Sequence, residues 1–153
     1  MSRTFRFLHQ IAHLRLTGAE TGGTLAVVEA TSPAGPAAPL HVHRREDETF
    51  YVLEGELTLL IGDQVHRAGP GSLVHAPRDV AHTFAVESPT ARWLVISCPA
   101  GVEEFVARLG TPADAPGEPV APDAERVAAV AAAFGIEILG PPMGAEELLA
   151  AAA

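Results

Sequence analysis

The sequence predicts an all-β fold, a small sandwich or barrel, with a helical C-terminal appendage. Three observations carry this. Between Ile11 and Ser97 the chain is a series of short runs rich in β-forming residues, each ended by a turn signal. Many short strands at close spacing argue for a sandwich or barrel. After Pro99 the character changes, and apolar residues fall on helical stripes.

The elements follow in order. Phe5 to Leu16, with Phe5, Phe7, Leu14 and Leu16 at strand-like spacing, is an N-terminal strand segment suited to exchange between two copies. Thr24 to Ala30 is a strand, and Ser32-Pro33-Ala34-Gly35-Pro36 ends it with a loop. Thr49 to Leu53 and Glu56 to Ile61 meet at Glu54-Gly55 as a hairpin. Gly62-Asp63-Gln64 turns the chain into Val65 to Ala68, and Gly69-Pro70-Gly71 turns it into Ser72 to Ala76. Thr83 to Glu87 and Arg92 to Ser97 are two further strands.

Val102, Phe105, Val106 and Leu109 then form one helical stripe, closed by Gly110. Thr111 to Val120 reads as a Pro/Gly/Ala-rich linker. Asp123 caps a second helix in which Val127, Val130 and Phe134 share a face, with Gly135 as its stop. Ile136 to Leu139 is a short apolar segment broken by Gly140-Pro141-Pro142, and the last ten residues read as a helix or an arm. The chain thus divides into residues 1–98, a β-barrel with an N-terminal strand segment, and residues 99–153, helices and a tail packed on the barrel.

At 153 residues the chain is expected to form one domain with an appended element. Hydrophobic residues make up 48% and charged residues 19%, a globular rather than disordered composition. Net charge is −9, and no Lys/Arg run interleaves with aromatics, so a nucleic-acid partner is not expected. The single Cys98 has no partner for an intrachain disulfide, and Trp93 to Pro99 around it reads as a buried strand. The N-terminal residues lack an apolar signal-peptide core, and no run reaches the ~20 apolar residues of a membrane helix. The expectation is a cytoplasmic protein with no membrane partner.

The chemistry concentrates between Gly35 and Gly55. His41 and His43 are two apart, so on a strand both imidazoles point to one face. Glu48 follows, and a carboxylate with a distant third histidine would complete a metal site. Residues 35–55 match G-x5-H-x-H-x4-E-x6-G, the first signature motif of the cupin superfamily. Gly71-x5-Pro77-x-Asp79-x2-His82-x3-Val86 matches the second, G-x5-P-x-G-x2-H-x3-N, with Asp79 for the glycine and Val86 for the asparagine. Asp79 suits the turn because aspartate reaches the left-handed backbone region more easily than most residues.

The chain therefore resembles a cupin over about residues 24–98. The resemblance implies a cupin-type jelly-roll barrel in which His41, His43, Glu48 and His82 bind one divalent transition metal. Three neutral imidazoles and a carboxylate leave one or two positions open, which suits Fe, Mn, Ni, Co or Zn. Of the other candidates, Glu46 and Asp47 read as a solvated acidic turn or as partners for Arg44 and Arg45. His75 is either a base beside the cavity or a packed polar residue, and His66 is expected to be exposed. Phe50, Val52, Leu59, Phe84 and Trp93 read as core.

The wording from Pro39 to Gly55, the run Ser97 to Phe105 and the run Gly135 to Pro142 resemble small bacterial cupins of the quercetin-dioxygenase-like group. That resemblance implies a metal-dependent dioxygenase acting on a hydroxylated aromatic or enol-type small molecule, with Glu48 as metal ligand and catalytic base. The alternatives are a redox-neutral cyclase or isomerase of the polyketide-cyclase type and a non-catalytic ligand-binding cupin. It also implies a homodimer, since cupin barrels often dimerise by sheet extension.

Overall fold

The computed structural model describes residues 2–118 and 120–151; Met1, Pro119 of the expected linker and the last two residues of the expected tail lie outside these. In chain order the strands are β1 (Thr4–Phe7), β2 (Gln10–Leu16), β3 (Ala26–Pro36), β4 (Pro39–His43), β5 (Asp47–Glu54), β6 (Leu57–Ile61), β7 (Gln64–Ala68), β8 (Leu73–Ala76), β9 (His82–Cys98), β10 (Thr111–Pro112) and β11 (Ile136–Pro142). The helices are α1 (Gly18–Thr21), α2 (Val102–Leu109), α3 (Ala124–Ala133) and α4 (Ala145–Ala151).

The two strands expected at Thr83–Glu87 and Arg92–Ser97 are one strand, β9, and this organises the molecule. Its first residues pair with β6 and, at His82, with β4; its later residues lie between β3 and β5. One antiparallel sheet thereby acquires two wings, β10-β1-β2-β3-β9-β5-β8 and β7-β6-β9-β4-β11. The wings fold over a shared core of Phe50, Val52, Leu57, Leu59, Phe84 and Trp93. Among the described residues the ladders do not join into a ring, so the expected closed barrel is an open, folded-over sheet.

Local sequence explains the strands. β5 alternates, with Glu48, Phe50 and Val52 inward, as a half-buried strand should. In β6 all five residues are buried, because Leu57, Leu59 and Ile61 face the core while Leu60 packs under Leu148 of α4. β3 runs on through the expected loop to Pro36, with a register shift between Pro33 and Gly35. Pro33 is tolerated there because β2 stops pairing with β3 at Thr31, so one flank of Pro33 needs no N–H donor.

The segment after Pro99 is not purely helical. The helices lie where the apolar stripes put them, but β10 pairs with β1 and β11 pairs with β4, directly beside the site strand. β11 stands where only a short apolar segment was expected; pairing with β4, rather than local pattern, extends it through Gly140 to Pro142. Helices α2 and α3 bury Phe105, Val106, Leu109, Val127 and Ala131 against Phe5, Phe7, Leu14 and Val28. The N-terminal segment considered for exchange is paired within its own chain, β1 to β2 and β2 to β3. Cys98 is exposed at the end of β9 rather than buried.

Gly55, in the β5–β6 turn, has φ +77, and an added Cβ would lie 2.8 Å from Ala91 Cα and against the Thr90 carbonyl of β9. Both the left-handed backbone and the close approach require glycine. Gly55→Ala is expected to lose about 3 kcal/mol of stability, read by urea unfolding; a loss below about 0.5 kcal/mol would show that the turn can yield.

Candidate metal centre

Four side chains converge between the wings. His41 and His43 project from the same face of β4, and His82 opens β9 directly opposite His41 in the β4–β9 ladder. Glu48 comes from the opposing wing, on β5. All four are buried, and one donor atom from each lies within 4.8 Å of the others. Glu48 Oε2 is 2.9 Å from His82 Nε2 and 3.3 Å from His43 Nε2.

Turn chemistry before His82 holds this register. Asp79 has φ +65, the left-handed conformation the motif's glycine would take, and its N–H donates to the His43 carbonyl at 2.8 Å. Arg44 donates to Asp79 Oδ1 and to Glu137 Oε2, both at 3.0 Å, joining the turn, β4 and β11. The turn that delivers His82 is thus tied to the strand that carries His41 and His43.

The outer nitrogens of the three rings are engaged. His41 Nδ1 is 2.7 Å from the Pro39 carbonyl, His82 Nδ1 is 3.2 Å from the Val80 carbonyl, and His43 Nδ1 is 2.5 Å from Glu46 Oε1. Each acceptor favours the tautomer with Nδ1–H, leaving Nε2 as the lone-pair donor turned inward. A first-row dication about 2.0–2.2 Å from each donor needs donors about 3–4 Å apart, close to this spacing. Donor chemistry, spacing and outer hydrogen bonds all fit a divalent transition metal.

Electrostatics agree. Burial, with His82 and His43 beside it, pushes His41 down to about 3, so the ring is neutral at any working pH. Burial opposes charge on His43 too, but the Glu48 and Glu46 carboxylates outweigh it and raise the ring above its usual 6.5. Burial alone would raise Glu48, but His43, His82 and His41 together lower it to about 2. A metal held by His43 would compete with the proton for Nε2, and acid favours the proton. Metal affinity is therefore expected to rise with pH through and above 6.5, measured by chelator competition; a flat profile from pH 6 to 8 would remove His43 from the ligand set.

Three of the four, His41, His43 and Glu48, line an apolar cavity of about 80 Å³. Phe50, Phe84 and Val95 form its wall on the sheet side, while Val102, Phe105, Val106 and Val127 of α2 and α3 close it from the other. Outside the cluster, Gln10 is the polar residue in this lining; its Nε2 donates to the Ala37 carbonyl at 2.6 Å. Sequence reading missed Gln10, which stands in a strand with no motif around it. It also misplaced Glu46, which is 2% exposed and bonded to His43 rather than solvated. Asp47 pairs instead with Arg78, and Arg45 donates to the Ala133 carbonyl. His75 lies on the outer face of β8, 3.0 Å from Thr49 Oγ1, and does not reach the cavity; His66 is exposed as expected.

Two wings of an antiparallel sheet enclosing three histidines and a glutamate point to one superfamily, and residues 28–97 match the cupin domain. The chain carries a cupin domain over these residues. It is 29% identical over 124 residues to quercetin 2,3-dioxygenase of Bacillus subtilis, a match covering 79% of this chain and 37% of that enzyme. The chain thus spans about a third of the length of the curated relatives it matches. Among solved structures it is similar to a double-stranded β-helix protein of Klebsiella pneumoniae, with TM-score 0.52 and 20% identity over 60% of this chain and 78% of that one. It is also similar to the polyketide cyclase RemF of Streptomyces resistomycificus, with TM-score 0.52 and 23% identity over 63% of this chain and 73% of that one. Among the described residues no helix is long and apolar enough to cross a membrane.

Proposed function

We propose that this cupin is a metal-dependent dioxygenase acting on a small hydroxylated aromatic or enol-type molecule. The observation that carries the reading is a set of four buried donors, His41, His43, Glu48 and His82, of which His41, His43 and Glu48 line an apolar cavity. An apolar lining with a few convergent polar groups is the usual form of a small-molecule site. The likeness to the Bacillus quercetin 2,3-dioxygenase supports the choice of reaction.

His41, His43 and His82 would hold the metal through Nε2, with Glu48 as fourth ligand. The metal, when bound, supplies Lewis acidity and redox capacity beside the substrate oxygen. Glu48 can ligate through one oxygen and accept the proton of a substrate hydroxyl at the other. The Phe50, Phe84 and Phe105 walls seat an aromatic ring and exclude water. Gln10, held at Nε2 by Ala37, would offer Oε1 as an acceptor for a second substrate hydroxyl.

Oxygen uptake across a panel of catechols, flavonols and β-diketones tests this reading. Turnover is expected to stop without oxygen, and Glu48→Gln is expected to slow it at least about 100-fold with metal still bound. Turnover that continues anaerobically would assign a cyclase or isomerase instead, and full activity of a metal-loaded Glu48→Gln variant would remove the base. We further propose a homodimer. The outer face of β8-β5-β9 carries Tyr51, Leu53 and Leu94 half-buried, with Leu73 63% exposed. A monomer by light scattering at working concentration would exclude it.

A further inference from the structure

We infer that Glu46 is the second carboxylate of the metal centre, placed behind His43 so that the buried site is charge-neutral around a dication. This rests on the proposed metal site. The three histidines are not equivalent in what holds them. His41 and His82 each lean on a backbone carbonyl, whereas His43 leans on an anion at 2.5 Å.

Glu46 sits in the run Arg44-Arg45-Glu46-Asp47, where both arginines are exposed, yet it is 2% exposed itself. Neither neighbouring arginine reaches it: Arg44 is taken by Asp79 and Glu137, and Arg45 by the Ala133 carbonyl. Among the described residues its only ion-pair or hydrogen-bond partner is the His43 ring. A buried carboxylate with one imidazole partner is costly. A dication on the opposite nitrogen of that ring supplies the missing positive charge. Glu48 and Glu46 together carry two negative charges, which a divalent ion cancels inside an apolar cavity. The pull of Glu46 on Nδ1–H also makes His43 the strongest imidazole donor of the three. Glu46 is a positioning and charge-balancing residue; it touches no substrate, and on its far side it borders a surface cleft lined by Gly101 and Phe134.

Co2+ affinity, measured by competition with a chromophoric chelator on the full chain, tests this. Glu46→Gln keeps an acceptor for Nδ1–H and removes only the charge. It is expected to weaken Co2+ binding about 10- to 100-fold while the visible Co2+ absorption still reports the parent's coordination number. Glu46→Asp, which keeps the charge, should bind more tightly than Glu46→Gln, and Asp47→Asn should stay within about twofold of the parent. A Gln variant within twofold of the parent would overturn the inference, as would an Asp variant no better than Gln. If the parent itself takes up none of Co2+, Mn2+, Fe2+, Ni2+ or Zn2+, the metal site fails and Glu46 with it. If His82→Ala loses Co2+ while Glu46→Gln does not, only the role of Glu46 is lost.

Discussion

His82→Ala is expected to abolish stoichiometric metal binding and, with it, the protein's thermal response to chelators. Structural four-ligand sites gain on the order of 10–16 kcal/mol from their metal. One ligand of four is thus worth about 3 kcal/mol, a hundredfold or more in affinity. Metal at about 100 times Kd stabilises the fold by about 2.7 kcal/mol, or roughly 5–10 °C in Tm for a chain of this size. The parent should therefore melt several degrees lower in EDTA, and His82→Ala should melt alike with and without it. His82 is the variant of choice because it opens β9 opposite His41 and lies 2.9 Å from Glu48, touching the other two elements of the site at once. An unchanged chelator response in His82→Ala would take His82 out of the ligand set.

Phe105→Ala is expected to cost about 3–5 kcal/mol of stability. Phe105 packs edge-on against Phe7 at 5.4 Å between centroids and lies 5.9 Å from Phe134, so it joins α2 to β1 and to the end of α3. It also lines the cavity, and its loss would enlarge the space facing the histidines. The four donors stand on β4, β5 and β9, so Co2+ affinity should hold within a few-fold while the urea midpoint falls. A stability loss below about 1 kcal/mol would mean that the helices do not anchor on this ring. Loss of metal at retained stability would mean that the helical layer positions the donors.

How legible each feature was in the sequence depended on how local its cause is. The period-two pattern of a strand put His41 and His43 on one face, and the spacing to Glu48 and His82 survived folding intact. Asp79 adopted the left-handed backbone that its place in the turn required. The helical stripes of α2 and α3 were readable because each buries one face. Other features depended on distant partners. Glu46 looks like any solvated acid in a charged run, and only the docking of β4 buries it behind His43. His75 reads equally as a base beside the cavity or a packed polar residue, and only the pleat of β8, with Val74 and Ala76 inward, turns it out. Gln10 gained meaning only when β2 was placed over the same cavity.

The sequence by itself determined the strand-rich body, its turns and the candidate donor set, because strand alternation and turn backbone conformation act over a few residues. Tertiary structure alone decided that β9 serves two wings, that β11 lies against the site strand and that α2 and α3 close the cavity. It also decided that a second carboxylate stands behind the donors. Those outcomes come from burying apolar faces and pairing strands between segments far apart in the chain, and no short window of sequence contains both partners.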